Sequence, residues 1–188
     1  MRATVVLSLL LLTTVLSAET ATNQADTVVA LAGRIVNAIA RDDIDAATTN
    51  WISAENLKGF LATPPKGVDG LKIDDGDLLH IAKQWKERDK EIKSRLRTLV
   101  DELKRRELDV STIKLLKATP KRCSTKNGIT GVQAIEIVFA IGDTKIEYRL
   151  GGAGLYIDRW YCTELCGSGA TLIKNNRAES IQCEKPNN

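Results

Sequence analysis

The stretch Val132-Gln-Ala-Ile-Glu-Ile-Val-Phe-Ala-Ile141-Gly-Asp-Thr-Lys145-Ile-Glu-Tyr-Arg-Leu150 decides the fold class. Ile135, Ile137, Phe139 and Ile141 recur at every second position, and Ile146, Tyr148 and Leu150 repeat the pattern after Gly142-Asp143. Side chains alternate between the faces of a strand, so this period predicts two antiparallel strands with one buried face. Lys145, Glu147 and Arg149 fall on the opposite, solvent-facing side. A strand over Ile113 to Ala118 is expected before them, with Asn127-Gly128 as a turn. Gly151-Gly152-Ala153-Gly154 reads as the next turn and Leu155 to Cys162 as a fourth strand. Four consecutive strands with short turns predict an antiparallel meander. The polar tail from Thr163 to Asn188 carries a small hairpin signal at Asn175-Asn176.

Upstream the period is helical. Val28, Ala32, Ile35, Val36 and Ile39 share one face of a helix over about Asp26 to Arg41, with Asp26 as its expected N-cap. Asp42-Asp43 ends that helix and caps a short second one through Ile44, Ala46 and Ala47. A third short helix, packed by Trp51 and Phe60, is broken by Pro64-Pro65. The longest element is a helix over Asp77 to Glu107 with Ile81, Trp85, Ile92, Leu96, Leu99, Val100 and Leu103 as its apolar stripe. At 1.5 Å per residue it spans roughly 46 Å, which exceeds a small domain, so a bend or an overhang is expected. The architecture predicted is α+β: N-terminal helices, with the one long helix packed on a four-stranded antiparallel meander as its cover.

The first residues form a separate unit. Arg2, the apolar run to Leu16, and Ser17-Ala18 have the layout of a secretory signal peptide over residues 1–18. The run is shorter than the roughly 20 apolar residues of a membrane span, so no membrane anchor is expected. Residues 19–188 then form a single secreted or periplasmic domain. Loss of Arg2 lowers the formal net charge from +3 to about +2, too mild to imply a nucleic-acid partner. The four cysteines, Cys123, Cys162, Cys166 and Cys183, read as two disulfides in an exported chain. In a plain meander Cys123 and Cys162 lie at opposite edges, roughly 30 Å apart, too far to bridge. Two pairings remain, and Cys162–Cys166 with Cys123–Cys183 is preferred because the first loop closes locally.

Ile39-Ala-Arg-Asp-Asp-Ile-Asp-Ala-Ala47, followed by Ile52-Ser-Ala-Glu55 and Leu57, resembles the opening helices of small exported NTF2-like domains. Gly154-Leu-Tyr-Ile-Asp-Arg-Trp160 is similar to their last strand. A cystatin-like fold, a helix wrapped by a meander, is the rival. The NTF2-like resemblance implies a cone between sheet and helices that holds a ligand or an acid–base site, an analogy of fold rather than of function.

Few residues carry a chemical signature. His80, the sole histidine, stands near Asp74, Asp75 and Asp77 at the start of the long helix, where a His/Asp pair is the acid–base candidate of the enzyme alternative. One histidine excludes a His-rich zinc site. Cys162-Thr-Glu-Leu-Cys166 has the soft ligands that select Cu(I), but a structural disulfide is the ordinary state of exported cysteines. The acids from Asp69 to Asp77 lack calcium-loop spacing. No metal or cofactor is therefore expected. Trp85 on the helix stripe and Tyr148 on the inward strand face are the candidate lining of a cavity, with His80 as a third ligand-binding candidate. Ten Lys or Arg and five acids between Lys83 and Arg106 make a charged helix face, read as solvated and laced by pairs such as Asp89–Lys93, Glu91–Arg95 and Asp101–Arg105. The function expected is a secreted, non-catalytic binding domain for an unknown small molecule or protein. The alternatives are a small NTF2-like enzyme using His80 or Tyr148, and a polyanion-binding module using the basic helix. N-terminal sequencing of exported material is predicted to begin at Ala18 or Glu19; a start at Met1 overturns the leader.

Overall fold

The computed structural model describes residues 27–62, 75–126, 129–156, 159–167 and 169–182. The leader, Pro64-Pro65, Asn127-Gly128 and Cys183 lie outside these residues. The described chain is α+β, with a helix-rich N-terminal part and a large antiparallel sheet of seven strands. Four helices come first: α1 (Val28–Ala40), α2 (Ile44–Thr48), α3 (Ala54–Ala62) and α4 (Asp75–Arg105). A 3-10 turn (Val110–Thr112) leads into β1 (Lys114–Lys126) and β2 (Ile129–Ile141). Then follow β3 (Thr144–Leu150), β4 (Ala153–Tyr156), β5 (Arg159–Cys162), β6 (Gly169–Lys174) and β7 (Arg177–Gln182).

Local chemistry sets the helix ends. Thr27, not Asp26, caps α1 by accepting from the Ala30 N–H at 3.1 Å, and Asp43 caps α2 by accepting from Ala46 at 2.9 Å. These side-chain oxygens satisfy N–H groups that have no partner inside the helix. At the far end of α4, Glu107 takes φ of 59°, and Leu108 donates to the Leu103 carbonyl at 3.1 Å, which closes the helix in the left-handed manner. Among the described side chains of α4 the buried ones lie in its C-terminal half: Ile92, Leu96, Leu99, Val100 and Leu103. Its described side chains from Leu79 to Lys90 are half-exposed or exposed, so the helix overhangs.

The sheet departs from a four-strand meander in two places. First, Gly151-Gly152 is no hairpin turn. Leu150 faces Ile135 and Ala153 faces Val132, so β3 and β4 continue one antiparallel register along the same edge of β2. Second, the expected fourth strand is two strands, β4 and β5, which pair with each other. β6 then pairs β3, and β7 pairs β6 across Asn175 and Asn176, whose φ values of 51° and 60° give a tight hairpin turn. β1 lines the whole opposite edge of β2. The order is β5-β4-β2-β3-β6-β7 with β1 beside β2.

The glycine pair has a packing reason. Between β5 and β6 the segment from Thr163 to Gly167 lies against the β3–β4 backbone. Thr163 donates to the Gly152 carbonyl and Gly167 to the Arg149 carbonyl, each at 2.7 Å. A Cβ on Gly151 would stand 2.3 Å from the Leu165 carbonyl oxygen and 2.8 Å from Glu164 Cβ. Only glycine permits that approach.

The inner face of the sheet carries Ile135, Ile137, Phe139, Ile146, Tyr148 and Leu150, all buried, while Lys145, Glu147 and Arg149 are exposed. They join one core with Leu31, Ile35 and Ile39 of α1 and Leu96, Leu99 and Leu103 of α4. The cover is thus shared. α1 crosses β1 with Gly33 near Leu115, and α4 adds its C-terminal half, where the sequence pointed to α4 alone. Gly151→Ala is expected to lower stability by about 1–3 kcal/mol through overpacking. Gly59→Ala, in α3 with open space around its Cβ, is expected to raise it by about 0.5–1 kcal/mol. Chemical denaturation of both variants checks the contrast, and equal effects would contradict the close approach.

Candidate functional site

The short α2 ends at Thr48, and the next residues run alongside β5. Cys162 donates to the Asn50 carbonyl and Ile52 donates to the Cys162 carbonyl, both at 2.9 Å, so Trp51 forms a parallel bridge to the sheet edge. The Asn50 side chain is 2% exposed and fully engaged. Its Nδ2 donates to the carbonyls of Ala46 and Ala47 at 3.3 and 3.0 Å. Its Oδ1 accepts from Arg34 Nε at 2.9 Å and from Arg159 at 3.4 Å. A buried amide with a partner for each polar atom is rigid and costly to disturb. Trp51 is also buried and donates through Nε1 to the Glu164 carbonyl at 2.8 Å.

This clasp holds the α2–α3 connection against β5, and the overhanging half of α4 passes beside both. The space among the three is a cleft of about 960 Å³. Its aromatic lining is Trp51, Trp85 of α4 and Tyr161 of β5. The Arg88 guanidinium lies 5.9 Å from the Trp85 ring and Arg159 lies 5.3 Å from Tyr161. At one end Lys93 bridges Asp45 at 2.9 Å and Asp89 at 3.0 Å. The hydrogen bond from Lys93 holds the Asp45 carboxyl below its usual range, and bonds to Asp45 and Asp89 raise the Lys93 ammonium in turn. Glu164, also on the cleft wall, accepts from the Gly152 N–H at 3.3 Å.

Trp85 alone of the three expected ligand residues lines this cleft. Tyr148 is 3% exposed and packs in the core, with its hydroxyl donating to the Gly167 carbonyl at 3.2 Å. His80 is exposed on α4, where its Nε2 meets the Gln84 side-chain nitrogen at 2.8 Å. The structure therefore does not bring Trp85, Tyr148 and His80 together. Asn50, Arg159 and Tyr161 were not singled out by sequence. The exposed Arg159, buried Trp160 and half-buried Tyr161 of β5 emerge only in the fold.

The cysteines also sit differently from expectation. Cys123, Val132, Ala153 and Cys162 share one row across β1, β2, β4 and β5. Three strand spacings separate the end members by roughly 14 Å, not 30, though this still exceeds disulfide reach. Cys162 and Cys166 are buried free thiols, so the expected Cys162–Cys166 bond is not formed here, and Cys123 is an exposed free thiol. Burial pushes the Cys162 thiol far up its scale. It raises Cys166 as well, against the opposing pull of a Tyr148 hydrogen bond and the Arg95 charge. Among the described residues no group of three or more His, Cys, Asp or Glu is placed to hold a metal ion, and no helix is long and apolar enough to cross a membrane.

No protein-family model, curated protein or solved structure matches the chain. The reduced native protein is expected to react with a maleimide at Cys123 within minutes, while Cys162 and Cys166 react only after unfolding, because the buried thiols lack both access and thiolate character. Peptide mapping reads the outcome, and rapid native labelling of Cys162 would contradict the packing of β5.

Proposed function

We propose that the chain is an exported, non-catalytic binding domain of NTF2-like or cystatin-like form that takes a small-molecule ligand in the cleft beside Trp85. The observation that carries this reading is the pairing of two half-buried aromatic rings, Trp85 and Tyr161, on the walls of one cleft. The cleft volume matches that of ligand sites, and its lining sets Trp51, Trp85, Ile92 and Tyr161 among charged and polar side chains that can orient a ligand. The carboxylates favour binding over proton transfer. Asp45 and Asp89 are held by Lys93, and Glu164 is held by a backbone N–H. Acid–base work requires a group poised near the working pH, and Asp45 is moved away from it.

The charge pattern of α4 weighs against a polyanion as the main partner. Lys90, Lys93, Arg95, Lys104, Arg105 and Arg106 each pair with a carboxylate. Most of the basic strip is thereby neutralised locally, as expected of a solvated face. The Asp89–Lys93 and Glu91–Arg95 pairs follow the helical spacing, while Arg105 turns to Glu102 rather than Asp101.

Fluorescence titration with N-phenylnaphthylamine, a neutral planar probe, tests the reading. The wild type is expected to bind it, and Trp85→Ala to weaken binding about tenfold, the loss of one stacking face. Leu79→Ala changes an α4 residue that is 75% exposed and outside the cleft lining, and is expected to leave affinity unchanged. No binding by the wild type, or equal affinity in the wild type and Trp85→Ala, overturns the cleft as the site.

A further inference from the structure

We infer that the cleft selects an organic oxyanion, a carboxylate, sulfonate or phosphate joined to a flat apolar body, and that Arg159, Arg88 and Lys86 supply its charge recognition. The inference rests on the binding reading above and narrows it to a ligand class. Four basic side chains line the cleft: Lys86, Arg88, Lys93 and Arg159. Lys93 is already committed to Asp45 and Asp89. Among the described residues, no carboxylate pairs with the other three.

Arg159 is positioned without being used up, and Arg88 rests beside a ring with its donors unspent. Arg159 stands on a strand pinned by the Asn50–Cys162 bonds, gives one nitrogen to Asn50 Oδ1, and lies over Tyr161. Arg88 lies over Trp85. A guanidinium stacked on a ring keeps its in-plane N–H donors free, and that fork matches the two oxygens of an oxyanion. Pre-positioning lowers the ordering cost of binding. The cations enter from opposite walls, Arg159 from β5 and Lys86 with Arg88 from α4, each next to an aromatic ring. A ligand that places its anion on the guanidinium groups sets its body against those rings. Of the cleft's acids, Asp45, Asp89 and Glu164 are engaged, which leaves Glu55, in the first turn of α3, as the opposing charge.

The test compares two probes with one aromatic body: anilinonaphthalene sulfonate and the neutral N-phenylnaphthylamine. The wild type is expected to bind the sulfonate at least tenfold more tightly at low ionic strength, and added salt to weaken the sulfonate alone. Arg159→Gln and, separately, Arg88→Gln are expected to lower sulfonate affinity about tenfold and leave the neutral probe unchanged, with the thermal midpoint of Arg88→Gln near wild type. Two variants guard against a folding defect, since Arg88 makes no contact with the Asn50 clasp. Lys83→Gln, outside the cleft, is expected to change neither. Benzoate or phenyl phosphate should displace the sulfonate, and the stronger competitor names the oxyanion; displacement by neither overturns the inference. Equal affinity for both probes, or full sulfonate affinity in both arginine variants, also overturns it while Trp85-dependent binding of the neutral probe leaves the cleft standing. If Trp85→Ala affects neither probe, the cleft itself falls and the oxyanion inference with it.

Discussion

Two backbone hydrogen bonds between the residues around Trp51 and Cys162 are the constraint on which the rest of the structure depends. They join the helical half of the chain to the sheet at a point where neither helix packing nor strand pairing would hold it. An exposed strand edge is a site for unwanted pairing with another chain, and on the outer edge of β5 the Arg34 side chain donates to the Trp160 carbonyl at 3.0 Å. Here the Asn50 to Ile52 segment occupies it. Asn50 then converts the bridge into a rigid junction, because its side chain ties the end of α2 to Arg34 of α1 and Arg159 of β5. Position of the cleft follows. With the α2–α3 connection fixed on β5 and only the second half of α4 drawn into the core, the first half of α4 is left facing a gap.

The same edge explains the glycines. The β3–β4 segment must pair β2 on one side along its whole length, yet its other side receives two separate strands, β5 and β6. The chain between them has more residues than the sheet has room for, and the surplus folds down on Gly151-Gly152. Its carbonyls are then collected by side chains from the rest of the molecule. Trp51 takes Glu164, Arg95 takes Cys166 at 2.7 Å, and Tyr148 takes Gly167. Tyr148 is thus spent on the loop rather than on a ligand. Trp51, Arg95 and Tyr148 come from the α2–α3 connection, α4 and β3, so this loop reports on whether the two halves have docked correctly.

What the sequence made legible was whatever repeats at a fixed period. The alternation of Ile135 to Ile141 and Ile146 to Leu150 located β2 and β3 because one face is buried and the other wet. The stripe from Ile92 to Leu103 located the packed half of α4 for the same reason. The misreadings have equally specific causes. Gly151-Gly152 carries the composition of a turn, but glycine also marks close backbone approach, and only the contact with Leu165 distinguishes the two. Leu155 to Cys162 is rich in strand-forming residues, and the single Asp158 within it was not read as a division. β7 was signalled only by its Asn175-Asn176 turn, because Ile181 is its one buried side chain. β1 was read short because its second half, from Thr119 to Lys126, is polar and basic, as suits an edge. The site was less legible than the fold. Trp85 stood out on a helical stripe, but Arg159 and Tyr161 join it only through backbone bonds at Asn50 and Ile52, which leave no mark in side-chain periodicity.

Charge pairing along α4 supplies the last step. Exposed ion pairs contribute little stability, about 0–1 kcal/mol each, so their value here is better sought in what they leave unpaired. Toward the C-terminal end Lys104 reaches Asp42, Arg105 meets Glu102, and Arg106 reaches Glu179, which binds the helix end to its surroundings without a surplus of charge. Lys93 does the same toward α2 through Asp45. Further toward the N-terminus, in the overhang, Lys86 and Arg88 have no such partner among the described residues, and they stand on the cleft with Arg159 across from them. Lys86 and Arg88, without a carboxylate partner among the described residues, thus place positive charge beside Trp85 and Tyr161, the two half-buried rings of the described cleft lining. That arrangement follows from one geometric fact: among the described side chains of α4 full burial begins at Ile92, and those before it are half-exposed or exposed.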